Sequence, residues 1–296
     1  MQPDPQTQAL IYAKAAARGH AASMAGRVIT LTILFCGIVL MLLPLYIMLV
    51  MALKTQSEMS STDIWAWPTS PTFQNFIDVL KNPNQSFPMF LRNTSIITFF
   101  STAGVLFSSA VVAYGFSRLN FAGKDRLFIV LLATMMLPGI VTMIPTYVLF
   151  AKINWVDTFL PLTVPAWLGG GAFNIFLLRQ FFMGIPRDLD EAAILDGASQ
   201  WTIFSKVILP LSGPALATVG IFTFIGAWKD FMGPLIYLND PNKLTLEVGL
   251  RAYAGFQAER WHMVMAGSVL VMIPLVILFF LGQRWFVKGI VMTGIK

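Results

Sequence analysis

Residues 185–210 read IPRDLDEAAILDGASQWTIFSKVILP, and the organisation of the chain can be worked outward from this stretch. Four carboxylates, Asp188, Asp190, Glu191 and Asp196, fall within nine residues. Pro186 suits a helix start, Gly197 a helix stop and Ser199 the cap of a second helix. On both sides of the stretch the chain turns apolar for tens of residues. The tract is therefore a polar interruption in a membrane sequence, the longest that falls to one side of the bilayer.

Composition supports that frame. Of 296 residues, 56% are hydrophobic and 11% charged, against roughly a quarter charged in soluble domains. A net charge of +6 does not point to nucleic acid. The Lys and Arg residues sit at the ends of apolar runs rather than among exposed aromatics. The single cysteine, Cys36, lies inside an apolar run, which excludes an intrachain disulfide and a cysteine metal site. His20 and His262 lie near run ends and are expected at the surface.

Residues 1–27 form a polar N-terminal segment, and residues 28–296 a single transmembrane domain. The run 28–53 carries no charge and exceeds the ~20 residues needed to cross hydrocarbon. It is too long for a signal-peptide core. Further spans are expected at 93–117, 127–151, 158–178, 207–228 and 263–283. The fourth is interrupted by Pro161, Pro165 and Gly169-Gly170-Gly171. It should be broken, which is tolerated at membrane depth only where protein or a watery cavity satisfies the backbone. The predicted fold is therefore all-α, with six transmembrane helices and a polar segment at 185–206 between the fourth and fifth.

Basic residues set the orientation. Lys14, Arg18, Arg27, Arg118, Lys124, Arg126, Arg179, Arg187, Lys206, Arg284, Lys288 and Lys296 make twelve on one side, against eight on the other. Both termini and the 185–210 stretch are thereby expected in the cytoplasm.

The six apolar cores contain no Asp, Glu, Lys, Arg or His, the groups an ion-driven carrier normally places near the midplane. They carry small and hydroxylated residues instead: Ser101, Gly104, Ser108, Ser109 and Ala113 in the second span, and Gly213, Ala217 and Gly220 in the fifth. Such residues let helices approach closely. No G-x-x-x-x-G-K-[ST], H-E-x-x-H or G-x-S-x-G pattern occurs. Energy for uphill transport must then enter from a partner, and 185–210 is the most elaborate surface for receiving it.

On a helix, Leu189, Ala192, Ala193 and Asp196 share one face while Glu191, Ile194 and Leu195 look elsewhere. Apolar side chains pointing both ways suggest a knob wedged between its own bundle and another protein. The alternative is that Asp188, Asp190 and Glu191 only complement the positive end of the helix.

Glu191-Ala192-Ala193, then Gly197 and Val207-Ile208-Leu209-Pro210, resemble the EAA signature of permease subunits in bacterial ATP-binding-cassette importers. Val207 stands where that family usually has Ile. Further along, Met136-Leu137-Pro138, Asn154-Trp155-Val156-Asp157-Thr158, Trp228-Lys229-Asp230-Phe231 and Gln283-Arg284-Trp285-Phe286 look like its carbohydrate-uptake branch. Within that branch the chain is most similar to the six-span maltose and glycerol-phosphate permeases.

The resemblance implies the type I importer permease fold in the bacterial inner membrane and a non-enzymatic transport subunit. It also implies a heterodimer with a second permease, two cytoplasmic ATPases that bind ATP and magnesium, and an extracytoplasmic solute-binding protein. No cofactor is expected in this chain. Glu191, Ala192, Ala193, Asp196 and Gly197, with Leu209 and Pro210, would form the ATPase-coupling element. The tail Thr293, Gly294, Ile295 and Lys296 is a second candidate contact.

For the solute pathway the candidates are Tyr46, Trp167, Asn174 and Trp228, since sugars are held by aromatic faces and amide or hydroxyl partners. Each aromatic also fits an interface anchor. Lys229 and Arg251 would tolerate an acidic sugar such as an alginate oligomer, and neutral oligosaccharides and glycerol phosphates stay open. The competing function is a secondary carrier or channel that works without ATPases.

Overall fold

The computed structural model describes the backbone of residues 5–61, 63–82, 86–256 and 260–292, and the side chains among these outside 5–25, 60–61, 252–256 and 284–292. The described residues are helical or irregular, with no strand. Four helical stretches are long and apolar enough to cross a membrane, Gly26–Leu53, Phe87–Arg118, Leu160–Met183 and Trp261–Gln283, and two bent helix pairs bring the total to as many as six.

The second span, Phe87–Arg118, is the pillar of the bundle. Half of its most apolar window is buried, against 6% for Gly26–Leu53. Between aromatic ends at Phe87, Phe90 and Tyr114, its buried face is mostly polar or small: Asn93, Thr94, Thr98, Ser101, Gly104, Ser108, Ser109 and Ala113. These residues support the fourth span, which is broken as its Pro and Gly content predicts. That span runs as a helical turn Leu160–Thr163, a 3-10 turn Val164–Trp167, three glycines of positive φ and a helix Ala172–Met183.

The carbonyls freed by the break find donors within the protein. Ser101 donates to the Leu162 carbonyl at 2.7 Å, Ser108 to that of Ala166 at 2.8 Å, and the Asn174 amide to that of Gly170 at 2.8 Å. Unsatisfied, each would cost several kcal/mol in hydrocarbon. A Cβ on Gly104 would lie 2.7 Å from the Trp167 ring, and one on Gly170 would lie 2.7 Å from Ser109 Cβ. Small residues in the second span therefore make room for an irregular neighbour, beyond simple helix–helix approach.

Two expected spans are bent. The run 127–151 is two helices, Lys124–Thr134 and Gly139–Lys152, crossing at 96°. Pro138, which lacks an amide donor, stands between them in extended conformation and caps the start of the second. The run 207–228 breaks at Ser212 by 78°, between Gln200–Leu211 and Gly213–Trp228. Ahead of Pro210, which lacks an amide donor, the chain widens into a π turn over Phe204–Ile208.

Buried apolar residues form two clusters. One gathers Ala113, Tyr114, Leu178, Phe182, Ile203, Phe204, Ile208 and Val219. The other gathers Ala52, Val79, Phe87, Phe90, Trp228, Leu246 and Ala266. Around the second cluster the loops are tied by polar groups. Asn75 donates to the carbonyls of Ala52 and Lys54, and Asn93 to those of Asn242 and Leu244. His262, expected at the surface, is buried here with 6% exposure, because Trp261–Met292 begins inside the packed loops rather than beyond them. The side chain of His20 lies outside the described residues.

Candidate functional site

The acid-rich stretch folds at the opposite pole from these loops. A helix spans Asp188–Leu195, starting two residues after Pro186. Gly197, at φ +79°, ends it. The Ala198 amide donates to the Ala193 carbonyl at 2.9 Å and the Gly197 amide to that of Ile194 at 2.9 Å. This is the paired C-terminal closure that a left-handed glycine permits. Ser199 then caps the next helical turn by accepting from the Thr202 amide at 3.2 Å. Gly197 and Ser199 thus act as their residue types predict.

The helix faces differ from the sequence expectation. Asp190 and Ala193 are its half-buried positions, and Ala193 packs on the first apolar cluster. Leu189, Ala192 and Asp196, grouped with Ala193 on helical spacing, are exposed. The bundle meets only the narrow strip that Arg118 reaches, which helical geometry alone does not specify. Outward stand Glu191, Ala192, Ile194 at 52% exposure and Leu195 at 89%. The carboxylates of Asp188, Glu191 and Asp196 make no side-chain hydrogen bond or ion pair among the described residues.

Asp190 is the exception. The Arg118 Nη1 donates to its Oδ2 at 3.0 Å, with the two side chains 3% and 16% exposed. Arg118 Nη2 donates to the carbonyls of Phe182 at 2.6 Å and Ile185 at 2.8 Å. One guanidinium therefore caps the end of helix Ala172–Met183, where cations are favoured, and holds the first turn of the following helix. One turn earlier on the same span, the Tyr114 hydroxyl donates to Gln200 Oε1 at 2.8 Å. Arg118 and Tyr114 are partners that residue-type reasoning misses. The available signal is a pair four residues apart at the end of a long apolar helix.

Of the other candidates, Leu209 packs inward on the first cluster and Pro210 is exposed; both lie along the Gln200–Leu211 arm rather than on the short helix. The tail Thr293–Lys296 lies outside the described residues. The four pathway candidates do not converge. Trp167 and Asn174 share the broken fourth span, while the Tyr46 hydroxyl donates to the Trp65 carbonyl at 3.2 Å.

Trp228 is a correction. It is 3% exposed, stacked on Phe224, and its Nε1 donates to the Val271 carbonyl at 3.1 Å. It is a strut of the second cluster, because the indole is large and apolar with a single donor that a helix carbonyl satisfies. Beside it, Lys229 and Arg251 act on Glu247. Burial pushes that carboxyl up, opposed by the two cations. Part of the positive charge expected to favour an acidic sugar is thus met within the chain.

Residues 104–292 match the family model described as "binding-protein-dependent transport system inner membrane component". The chain is 35% identical over 226 residues to a trehalose/maltose transport system permease of Thermococcus litoralis, covering 76% of this chain and 81% of that one. It is 33% identical over 264 residues to an sn-glycerol-3-phosphate transport system permease of Yersinia pestis, covering 87% and 93%. It also superposes on a chain of a bacterial ABC transporter involved in alginate import, with a TM-score of 0.79 at 24% identity, covering 90% and 98% of the two chains.

Proposed function

The chain belongs to the family of binding-protein-dependent transport system inner membrane components, and from that premise we propose that it is the carbohydrate-conducting permease of an ATP-driven importer, energised through the Asp188–Leu195 helix. Together with a second, different permease it forms the pathway. Two ATPases, holding ATP and magnesium, press on the helix from the cytoplasm, and a solute-binding protein delivers the sugar on the other side.

The observation that carries this reading is the helix itself. A rigidly closed knob, with three carboxylates unpartnered among the described residues and an exposed Leu195, is bolted by a buried ion pair to the most buried of the four long spans. Closure of the ATPases would move it as a rigid body. Glu191 is placed to meet a cation in the ATPase groove, a charge-assisted contact. The second permease has a surface to cover, since Met136 is 84% and Leu168 80% exposed at the breaks of the third and fourth spans.

The excess of basic residues at the knob's end, Arg118, Lys124, Arg126, Arg179 and Arg187, supports a cytoplasmic location for it and for both termini. Sugar as cargo rests on the relatives that transport maltose, trehalose and glycerol phosphate. Trp167 and Asn174, at the break of the fourth span, are the residues best placed to meet it.

The test is copurification from membranes. A tagged chain should bring down a second permease and ATPase subunits. Glu191→Lys and Gly197→Pro should each abolish ATPase retention while the two permeases stay together. Retention of the ATPases by both variants, or solute movement by the chain alone, would sink the proposal.

A further inference from the structure

Whatever moves the Asp188–Leu195 helix must pass through the few places where it is attached to the bundle. Among the described residues its only side-chain hydrogen bond or ion pair is Asp190 to Arg118 at 3.0 Å, beside the apolar packing of Ala193. The chain segments on either side are attached through the same span. Phe182 and Ile185, just before the helix, accept from Arg118 Nη2. Gln200, just after it, accepts from Tyr114 through both its side-chain and backbone oxygens, at 2.8 and 3.3 Å. Tyr114 and Arg118 lie one turn apart at the end of Phe87–Arg118, so one edge of one helix grips the knob in front and behind.

The grip is dry. Arg118 is 3% and Asp190 16% exposed in their side chains, Tyr114 is 6% exposed, and its ring lies 5.1 Å from that of Phe204. The end of the second span is itself secured, by Arg179 donating to the Phe116 carbonyl at 3.2 Å and Lys124 to that of Leu119 at 2.8 Å. That same span, through Ser101 and Ser108, carries the broken segment beside Trp167. A displacement of the knob is thus led into the pillar and from there toward the break in the fourth span.

We propose that Arg118, assisted by Tyr114, is the positioning residue that makes the Asp188–Leu195 helix and the second span move as one body, so that ATPase closure is delivered to the pathway. The inference rests on the importer reading above. A charge alone is not enough for the role. Arg118 reaches Asp190 and the two carbonyls from two separate nitrogens, whereas lysine has no planar fork and would have to do so from one, and exchanging the charges would turn a carboxylate toward the Phe182 and Ile185 carbonyls.

The experiment follows amide hydrogen exchange in the whole importer, purified through this chain, with and without ATP plus orthovanadate. In the unmodified complex the nucleotide should change exchange both in residues 188–197 and in residues 108–118. In Arg118→Lys and in the near-isosteric Asp190→Asn, the change in 188–197 should persist while that in 108–118 falls by about tenfold or more. A merely structural role would alter both segments together or lower the yield of complex.

Unmodified complex that responds at 188–197 but not at 108–118 overturns the inference, as does a full response at both segments in the variants. No response at 188–197 in the unmodified complex overturns the importer reading itself. If Arg118→Lys does not assemble, Asp190→Asn and the unmodified complex decide the question.

Discussion

At the pole of the long loops, Asp157 collects the amides of Asn239 and Asp240, each at 3.0 Å, and the Lys243 ammonium at 2.9 Å. Glu58 likewise accepts from the amides of Thr69 and Ser70. At the other pole a single guanidinium collects two carbonyls and Asp190, and the remaining acids of that stretch are left free. Half-exposed carboxylates at the first pole close loops onto the same chain, within reach of water, where each ion pair is worth little. The second pole has one buried pair and an open surface beyond it. The first is finished within this chain. The second is left open within this chain.

The sharpest way to break the contrast is Arg118→Met. It leaves the Asp190 carboxylate buried without a partner, at a cost of about 3–5 kcal/mol. Thermal unfolding of the solubilised protein should register this as a large fall in melting temperature. Adding Asp190→Leu should recover a substantial part, since removing both charges is far cheaper than stranding one. It should not recover all of it, because the Phe182 and Ile185 carbonyls stay uncapped.

A smaller effect belongs to the region that joins the poles. Gly104→Ala places a methyl 2.7 Å from the Trp167 ring. Overpacking of this kind costs about 1–3 kcal/mol, and here it should displace the 3-10 turn that Trp167 ends. The same melting assay reads the stability. Solute uptake by the assembled importer should fall more than ATPase retention, since the knob is untouched.

The smallest effect is at the loop pole. Two backbone amides and Lys243 hold the Asp157 carboxyl down at about 2, below an ordinary aspartate. A depressed folded-state value means the stabilisation is complete above the unfolded value near 4 and is lost as pH falls from there toward about 2. Glu58, held at about 2 mainly by Thr69 and Thr55, acts in the same window. Melting curves between pH 5 and pH 2.5 should therefore show an acid limb, and Asp157→Asn should flatten it while lowering stability only slightly at neutral pH.

Much of this molecule can be read residue by residue. The apolar runs predict the helical membrane architecture because hydrocarbon admits little else. Gly197 and Ser199 act locally, through backbone freedom and a reachable amide, so they close and cap where their types say. The Pro and Gly content of 158–178 likewise predicts the break that the fourth span shows. The direction of Asp190 was not legible. Nor were the burial of Trp228 and His262, or the bends at Pro138 and Ser212 as turns of 96° and 78°.

Those features share a physical cause. Sequence by itself determined this protein's helices, its stops and caps, the polar stretch with its signature spacing and the absence of charge from the apolar cores, because each depends on backbone propensity or on transfer from water to lipid, both local properties. Which acid of the stretch turns inward was decided only in three dimensions, as was its meeting with Arg118 from a span some 70 residues away in sequence, the bond from Tyr114 to Gln200, and the support that the serines of that span give a broken neighbour. Such choices depend on which surfaces pack together, and a buried charge finds its partner through space rather than along the chain.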